Sequence, residues 1–247
     1  MDLQAFFTEN PRAAIAFSGG VDSAYLLYAA ARAGADVCAY YVQSEFQPAF
    51  ERRDAERLAR EVGARLRVLQ VSALCAPGVR ENPPERCYFC KKAIFAAIAA
   101  AAREDGYTLL LDGTNASDDA ADRPGMRALR ELSVRSPLRE CALTKAEIRE
   151  ASRAAGLFTW DKPAYACLAT RIPAGECITP EKLAATERAE DFLFSLGFTD
   201  FRVRNAAGAA KIQLPAAQWE KLTEHRAEIL NFLRQDYTAV TLDLEVR

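Results

Sequence analysis

Histidine is almost missing from this chain of 247 residues, with His225 its single instance. A His-centred triad or a multi-histidine metal site is therefore excluded, and His225, in a polar stretch near the C-terminus, is expected at the surface. Long apolar runs are missing as well. The longest, Ala93 to Ala102, falls far short of the roughly 20 residues that cross a bilayer, so no membrane segment is expected. The opening MDLQAFFTENPR lacks the basic start, apolar centre and small-residue cleavage site of a secretory signal, which points to the cytoplasm. Basic excess is also lacking: 32 Lys and Arg against 34 Asp and Glu leave a net charge of -2. That balance gives no electrostatic footprint for nucleic acid, which is not the expected partner. There is no internal repeat and no low-complexity tract beyond alanine richness.

Half of the residues are hydrophobic, enough for one substantial core and a small satellite domain. Ala13 to Phe17 is a short apolar run ending in a glycine pair, and Leu26, Leu27 and Ala30 follow at helical spacing. Val37 to Val42, Glu51 to Val62 and Leu66 to Val71 repeat the alternation as strand, helix and strand. A loop rich in proline and charge, Ala76 to Arg86, leads to a helix from Cys87 to Arg103, the strand Thr108 to Leu111 and the turn Asp112 to Asn115. Thr144 with Glu147 predicts a capping box. The fold class is α/β, a parallel sheet with helices on both faces. Residues 166–247 are expected as a small α+β domain, with a helix from Thr179-Pro180 to Leu196, strands at Phe201 to Asn205 and Lys211 to Leu214, a helix near Ala216 to Leu233 and a last strand at Ala239 to Leu244. The first domain is residues 1–165.

The string Ser18-Gly19-Gly20-Val21-Asp22-Ser23 between a strand and a helix is built for anions. Glycines let the backbone approach oxygens closely, and the helix N-terminus points its amides at them. Ser18 and Ser23 offer hydroxyls to phosphate, and Asp22 suits Mg²⁺. No Gly-Lys-Ser/Thr follows, so this is not a Walker A loop. Gly113-Thr114-Asn115, at the end of another strand, should open onto the same crevice.

Seven cysteines, an odd number, argue against a disulfide framework and leave thiolate chemistry or metal ligation. Cys87 and Cys90 stand one helical turn apart, a spacing for a soft metal or a redox pair, while Cys167 lies far off in sequence. The trio also suits structural zinc, with Cys177 as a fourth ligand. Cys38, in a strand, is expected in the core; Cys75 and Cys141 have no evident partner.

The loop resembles the PP-loop of the N-type ATP pyrophosphatases, which cleave ATP between the α and β phosphates and adenylylate an oxygen. Adding Arg86 to Lys91, Asp112 to Ala116, Ser136-Pro137-Leu138, Cys167 to Pro173 and Phe201 to Arg204, the chain resembles the ATP-dependent sacrificial sulfur transferase family called LarE over nearly its whole length. The resemblance implies that ATP and Mg²⁺ are used to adenylylate a carboxylate of pyridinium-3,5-biscarboxylic acid mononucleotide. Sulfur then displaces AMP to give a thiocarboxylate for the nickel-pincer nucleotide of lactate racemase. It further implies pathway partners for carboxylation and nickel insertion, and a homo-oligomer. In the sacrificial version the cysteine matching Cys167 gives up its own sulfur and is left as dehydroalanine. Some members with this trio hold a [4Fe-4S] cluster through three cysteines, and the resemblance implies the same here for Cys87, Cys90 and Cys167, with one iron open to hydrosulfide.

Arg202 and Arg204 alternate along a strand and point to one face, where the resemblance assigns them to a mononucleotide phosphate. Arg171 is a further candidate for a substrate carboxylate or phosphate. Gln213 stands where the family pattern has an acidic residue. Glu187 and Glu190 are read either as facing the crevice or as an exposed helix face. Two other enzyme classes compete: a tRNA thiolation enzyme, which would bind tRNA with steep salt dependence, and an amide-forming ligase with structural zinc, which would be colourless and need ammonia. A nucleotide sensor that holds ATP without turnover would release no pyrophosphate with any acid.

Overall fold

The structure is a computed structural model that describes residues 2–118 and 124–245. The chain divides into two compact units, Met1–Pro77 with Glu85–Tyr165, and Gly78–Pro84 with Ala166–Arg247.

In the first unit four parallel strands, β1 (Arg12–Ala16), β2 (Asp36–Gln43), β3 (Arg65–Gln70) and β4 (Leu110–Leu111), pair in the order β3-β2-β1-β4. Both faces of this sheet are covered, which is why β2 reads as an unbroken apolar run. Side chains alternate along it. Ala39 and Tyr41 pack into one core with the helices α1 (Leu3–Glu9), α2 (Val21–Arg32) and α3 (Ala49–Glu61). Cys38, Tyr40 and Val42 pack into a second core with Phe95 and Ile98 of α4 (Arg86–Glu104) and Leu129 of α5 (Pro124–Glu131). Cys38 is thus a core residue, and burial pushes its thiol pKa up. The short α6 (Pro137–Glu140) and α7 (Lys145–Ala154) follow. The helices α1 and α5 have no counterpart among the elements expected from sequence, because at 7 and 8 residues each is only about two turns long.

The strand order places a reversal between β1 and β4: the chain steps outward from β1 through β2 to β3, then returns to the other side of β1. Such a switch point leaves a crevice beyond the carboxyl ends of its two strands.

In the second unit α8 (Pro180–Ser195) packs on a three-stranded sheet, β5 (Arg202–Ala206), β6 (Ala209–Gln213) and β7 (Ala239–Leu242), in that order. The hairpin β5–β6 is antiparallel and β6–β7 is parallel. The single helix expected after Ala216 is divided at His225 into α9 (Trp219–Glu224) and α10 (Arg226–Leu233). His225 lies half-buried with its ring edge toward Phe198, 6.2 Å between centroids, and Ile229 donates to its carbonyl at 3.0 Å. The break therefore serves packing. The Pro-rich stretch expected as a loop is partly a structural piece of this unit. Asn82 is buried, and its side-chain amide donates to the carbonyls of Pro173 at 2.7 Å and Ile172 at 3.2 Å. Gly175 N donates to Asn82 O and Ile178 N to Arg80 O, both at 2.8 Å.

The capping box forms as expected: Thr144 Oγ1 accepts from Glu147 N, and Glu147 accepts from Thr144 N at 2.8 Å. These bonds, the Thr144 side chain first, hold the Glu147 carboxyl below the ordinary range. Such a group stabilises above the unfolded glutamate pKa of about 4.3, and its contribution disappears as pH falls. Thr144→Ala should cost about 1 kcal/mol, read as a Tm lowered by about 2–4 °C at neutral pH. The gap to wild type should narrow in melts at about pH 3.

Candidate active site

The loop after β1 is shaped by its glycines and serines. Gly19 has φ of +72°, and a Cβ there would lie 3.3 Å from the Glu51 carbonyl oxygen of α3. Ser23 Oγ donates to Gly20 O at 3.2 Å and lies 3.2 Å from Ser18 Oγ. Gly20 is the N-cap of α2 with no side-chain cap, so the first-turn amides of α2 face the crevice.

The turn after β4 closes on that loop. A Cβ on Gly113 would sit 2.9 Å from Ser23 N, so only glycine permits the approach. Asp112 is buried and accepts from Ser136 Oγ at 2.6 Å, from Thr114 N at 3.3 Å and from Thr114 Oγ1. Asn115, also buried, accepts from Ser117 N at 2.8 Å, while its own N–H donates to Asp118 at 3.0 Å. The Arg139 guanidinium holds the carbonyls of Asn115 and Asp118.

Between the loops lies a cleft of about 340 Å³. Ser18, Gly20, Asp22, Ser23, Gly113 and Thr114 line it, as the sequence suggested. Gly19, Val21 and Asn115 serve it indirectly: Gly19 seats the loop on α3, Val21 is buried in the core and Asn115 folds the turn. An apolar wall of Tyr40, Val42, Phe95 and Ile98 suits a purine base. Tyr41 also lines this cleft; its buried hydroxyl has no hydrogen-bond partner among the described residues, and burial raises its pKa above the ordinary phenol range.

Charge around the loop is distributed unevenly. Asp22 Oδ2 accepts from Lys145 Nζ at 2.6 Å, whereas Asp22 Oδ1 is buried without a hydrogen-bond partner among the described residues. An orphaned buried carboxylate oxygen beside a phosphate loop fits a hard cation such as Mg²⁺. Lys162 Nζ, paired with Asp54 at 2.7 Å, also lies 3.5 Å from Gly19 O. Lys145, Asp118 and the aromatic wall were not singled out from sequence. For Lys145 a signal existed, since the capping box fixes the start of its helix.

Cys87 and Cys90 rise from the first turns of α4, Cys87 exposed and Cys90 buried. Cys167, of intermediate exposure, belongs to the second unit. Among the described residues no group of three or more His, Cys, Asp or Glu side chains stands together as a metal site. Burial raises the pKa of Cys141.

In the second unit Cys167 precedes a 3-10 turn, Leu168–Arg171. Arg171 was expected to meet a substrate anion, but it is fully buried, and its fork is given to Glu190 at 2.9 and 3.0 Å. Its Nη1 donates to Ala166 O at 2.6 Å, Cys167 O at 3.5 Å and Thr170 Oγ1 at 3.0 Å. Arg171 is thus a positioning residue for the Cys167 turn. Glu190, neither exposed nor in a crevice, is buried and also accepts from Val203 N at 2.9 Å. Glu187 is of intermediate exposure on the same helix.

Arg202 and Arg204 lie on the outer face of β5, as their alternation predicts. Arg204 Nε donates to Gln213 Oε1 at 2.8 Å, and Arg204 Nη1 donates to Thr170 O. Gln213 in turn donates to Asp243 at 2.7 Å, and Lys211 pairs with the same carboxylate at 2.9 Å. These bonds, Gln213 first, hold the Asp243 carboxyl below the usual range. The acidic group expected at position 213 is thus one residue removed, at the end of a relay.

A parallel sheet with a Ser-Gly-Gly-x-Asp-Ser loop at its switch point defines an α/β protein of the PP-loop pyrophosphatase class. No family model matches the chain. It is 38% identical, over 99% of its length and 92% of the relative's, to an uncharacterized protein of Synechocystis. It is 34% identical, over 87% of its length and 79% of the relative's, to the pyridinium-3,5-bisthiocarboxylic acid mononucleotide synthase of Lactiplantibacillus plantarum. An uncharacterized protein of Methanocaldococcus jannaschii is 27% identical over 96% of the chain. The chain belongs to the LarE family of sulfur transferases, the family of that synthase.

Gly113→Ala should force the turn after β4 away from α2, and ATP offered as a probe of the cleft should bind more than about tenfold more weakly than to wild type in calorimetry, the loss expected for one displaced charge-assisted bond at about 1.5–3 kcal/mol. Glu190→Gln removes the carboxylate charge that the buried Arg171 fork meets and should cost about 3–5 kcal/mol in urea unfolding.

Proposed function

We propose that the chain is an ATP-dependent sulfur transferase acting on pyridinium-3,5-biscarboxylic acid mononucleotide. The observation that carries this reading is the cleft itself: an apolar wall for a base, a glycine-bent loop for phosphates and the orphaned Asp22 Oδ1 for a cation, in a chain related to a bisthiocarboxylic acid mononucleotide synthase. Ser18, Ser23 and the first-turn amides of α2 bind the leaving phosphates, and Gly113-Thr114 closes the other side. Mg²⁺ at Asp22 would neutralise charge on the departing pyrophosphate. A substrate carboxylate oxygen bonds to the α-phosphorus as the bond from that phosphorus to the bridging oxygen of pyrophosphate breaks. A sulfur nucleophile then adds to the acyl carbon and AMP leaves with one former carboxylate oxygen. Arg202 and Arg204 are assigned to the substrate phosphate.

Cys167 is assigned to the sulfur step, with its turn held by Arg171. Cys87, Cys90 and Cys167 would supply three sulfur ligands to a [4Fe-4S] cluster, whose fourth iron would hold the sulfide. Two measurements decide the reading. Wild type should exchange labelled pyrophosphate into ATP only with the acid present, and Asp22→Asn should slow this by about 10²-fold or more. Exchange without the acid, or none with it, overturns the assignment. Protein purified without oxygen should carry about four irons per chain and keep Cys167 intact through turnover. An iron-free chain that loses the mass of H₂S at Cys167 makes Cys167 the sacrificial donor instead.

A further inference from the structure

Beside the nucleotide cleft lies a second hollow of about 350 Å³, walled among the described residues by Cys87, Lys91, Thr114, Asp118, Gly125 and Met126. Lys91, Thr114 and Asp118 line both spaces, so the hollow adjoins the phosphate end of the cleft, next to Thr114. Lys91 stands at the joint. A Cβ on Gly125 would come within 2.8 Å of Lys91 Cδ and 3.3 Å of its Nζ, so the bare glycine leaves the space that the lysine stem occupies.

The lysines nearby differ in what they hold. Lys145 is paired with Asp22, Lys162 with Asp54, and Lys92, on the next position of α4, with Glu131. Lys91 is half-buried and makes no ion pair among the described residues, although the Asp118 carboxylate lines the same two spaces. A partly desolvated ammonium held in no ion pair is costly, and an incoming anion relieves the cost.

We infer that this hollow receives the carboxylate-bearing ring of the acceptor and that Lys91 is the counter-ion of the carboxylate that attacks ATP. The inference rests on the adenylylation reading above. A carboxylate and an α-phosphate repel each other, and a fixed cation between them permits the approach. Lys91 keeps all three protons throughout. The oxygen–phosphorus bond forms, pyrophosphate leaves with its electron pair, and no proton moves. The volume lies within the range of small-molecule sites. Cys87 on the same wall places a sulfur atom beside the ring that is to be thiolated.

The test is equilibrium dialysis of pyridinium-3,5-biscarboxylic acid mononucleotide against the full chain with saturating α,β-methylene-ATP. Lys91→Met should bind the acid about tenfold or more weakly, as expected for one lost charge-assisted bond. Its affinity for the ATP analogue should stay within about twofold of wild type, Lys91→Arg should bind the acid almost normally and Lys92→Met should behave as wild type. In wild type, peptide mass spectrometry after trinitrobenzenesulfonate labelling should show Lys91 protected by the acid beyond the protection given by the analogue alone, a readout that does not depend on any variant folding. If wild type binds the acid while Lys91 stays unprotected or Lys91→Met binds it normally, this inference fails and the adenylylation reading stands. Equal loss of analogue and acid in Lys91→Met reassigns the lysine to the nucleotide and also overturns the inference. If wild type binds the analogue but not the acid, both fall.

Discussion

The site depends on one close approach, that of the Gly113 backbone to the first turn of α2. A single methyl group at position 113 would meet Ser23 N at 2.9 Å, so the contact exists only because position 113 carries no side chain. Through it the loops that end β1 and β4 become two walls of one cleft. Everything around the contact keeps it rigid. Asp112 is buried under three donors from Ser136 and Thr114, and the Ser18–Ser23–Gly20 bonds fix the opposite loop. The capping box of α7 sets the position of Lys145, which occupies one oxygen of Asp22 and leaves the other for a ligand. Preorganisation of this kind means that little of the binding energy is spent on ordering the protein.

Those parts of the fold that repeat a local pattern were legible in the sequence. Fully buried parallel strands give apolar runs, so β1 and β2 stand out, while the edge strand β3 shows only as a short run of Leu and Val after two arginines, and the glycine pair after β1 announces the loop that follows it. The apolar wall of the cleft was not legible. Tyr40, Phe95 and Ile98 come from a strand and a helix more than fifty positions apart, and each alone looks like an ordinary core residue. The resemblance to a family reached the cysteines and arginines that patterns alone leave ambiguous.

Arg171 shows how proximity in sequence misleads. Four positions after Cys167, it looks like a ligand for whatever the cysteine attacks. Its counter-charge is Glu190, nineteen positions on and turned inward from α8, where the helix pattern gives weak notice of burial. A buried pair of this kind specifies the conformation of its loop more than it adds stability. Gln213 is the converse case. The missing carboxylate is present in space at Asp243, reached through the amide of Gln213, because parallel pairing of β6 with β7 carries the chain back past it.

The excursion of Gly78–Pro84 gives the chain a particular history on the ribosome. This segment leaves between β3 and α4 of the first unit, yet its Asn82 is claimed by Ile172 and Pro173, whose positions are 90 and 91 further along. At translation rates of 5–20 residues per second those partners emerge roughly 5 to 18 s later. The segment waits through the synthesis of α4, β4 and α7, and the second unit closes only when the thread has been laid down twice. A gene fragment that begins at position 166 therefore encodes a unit without its own keystone.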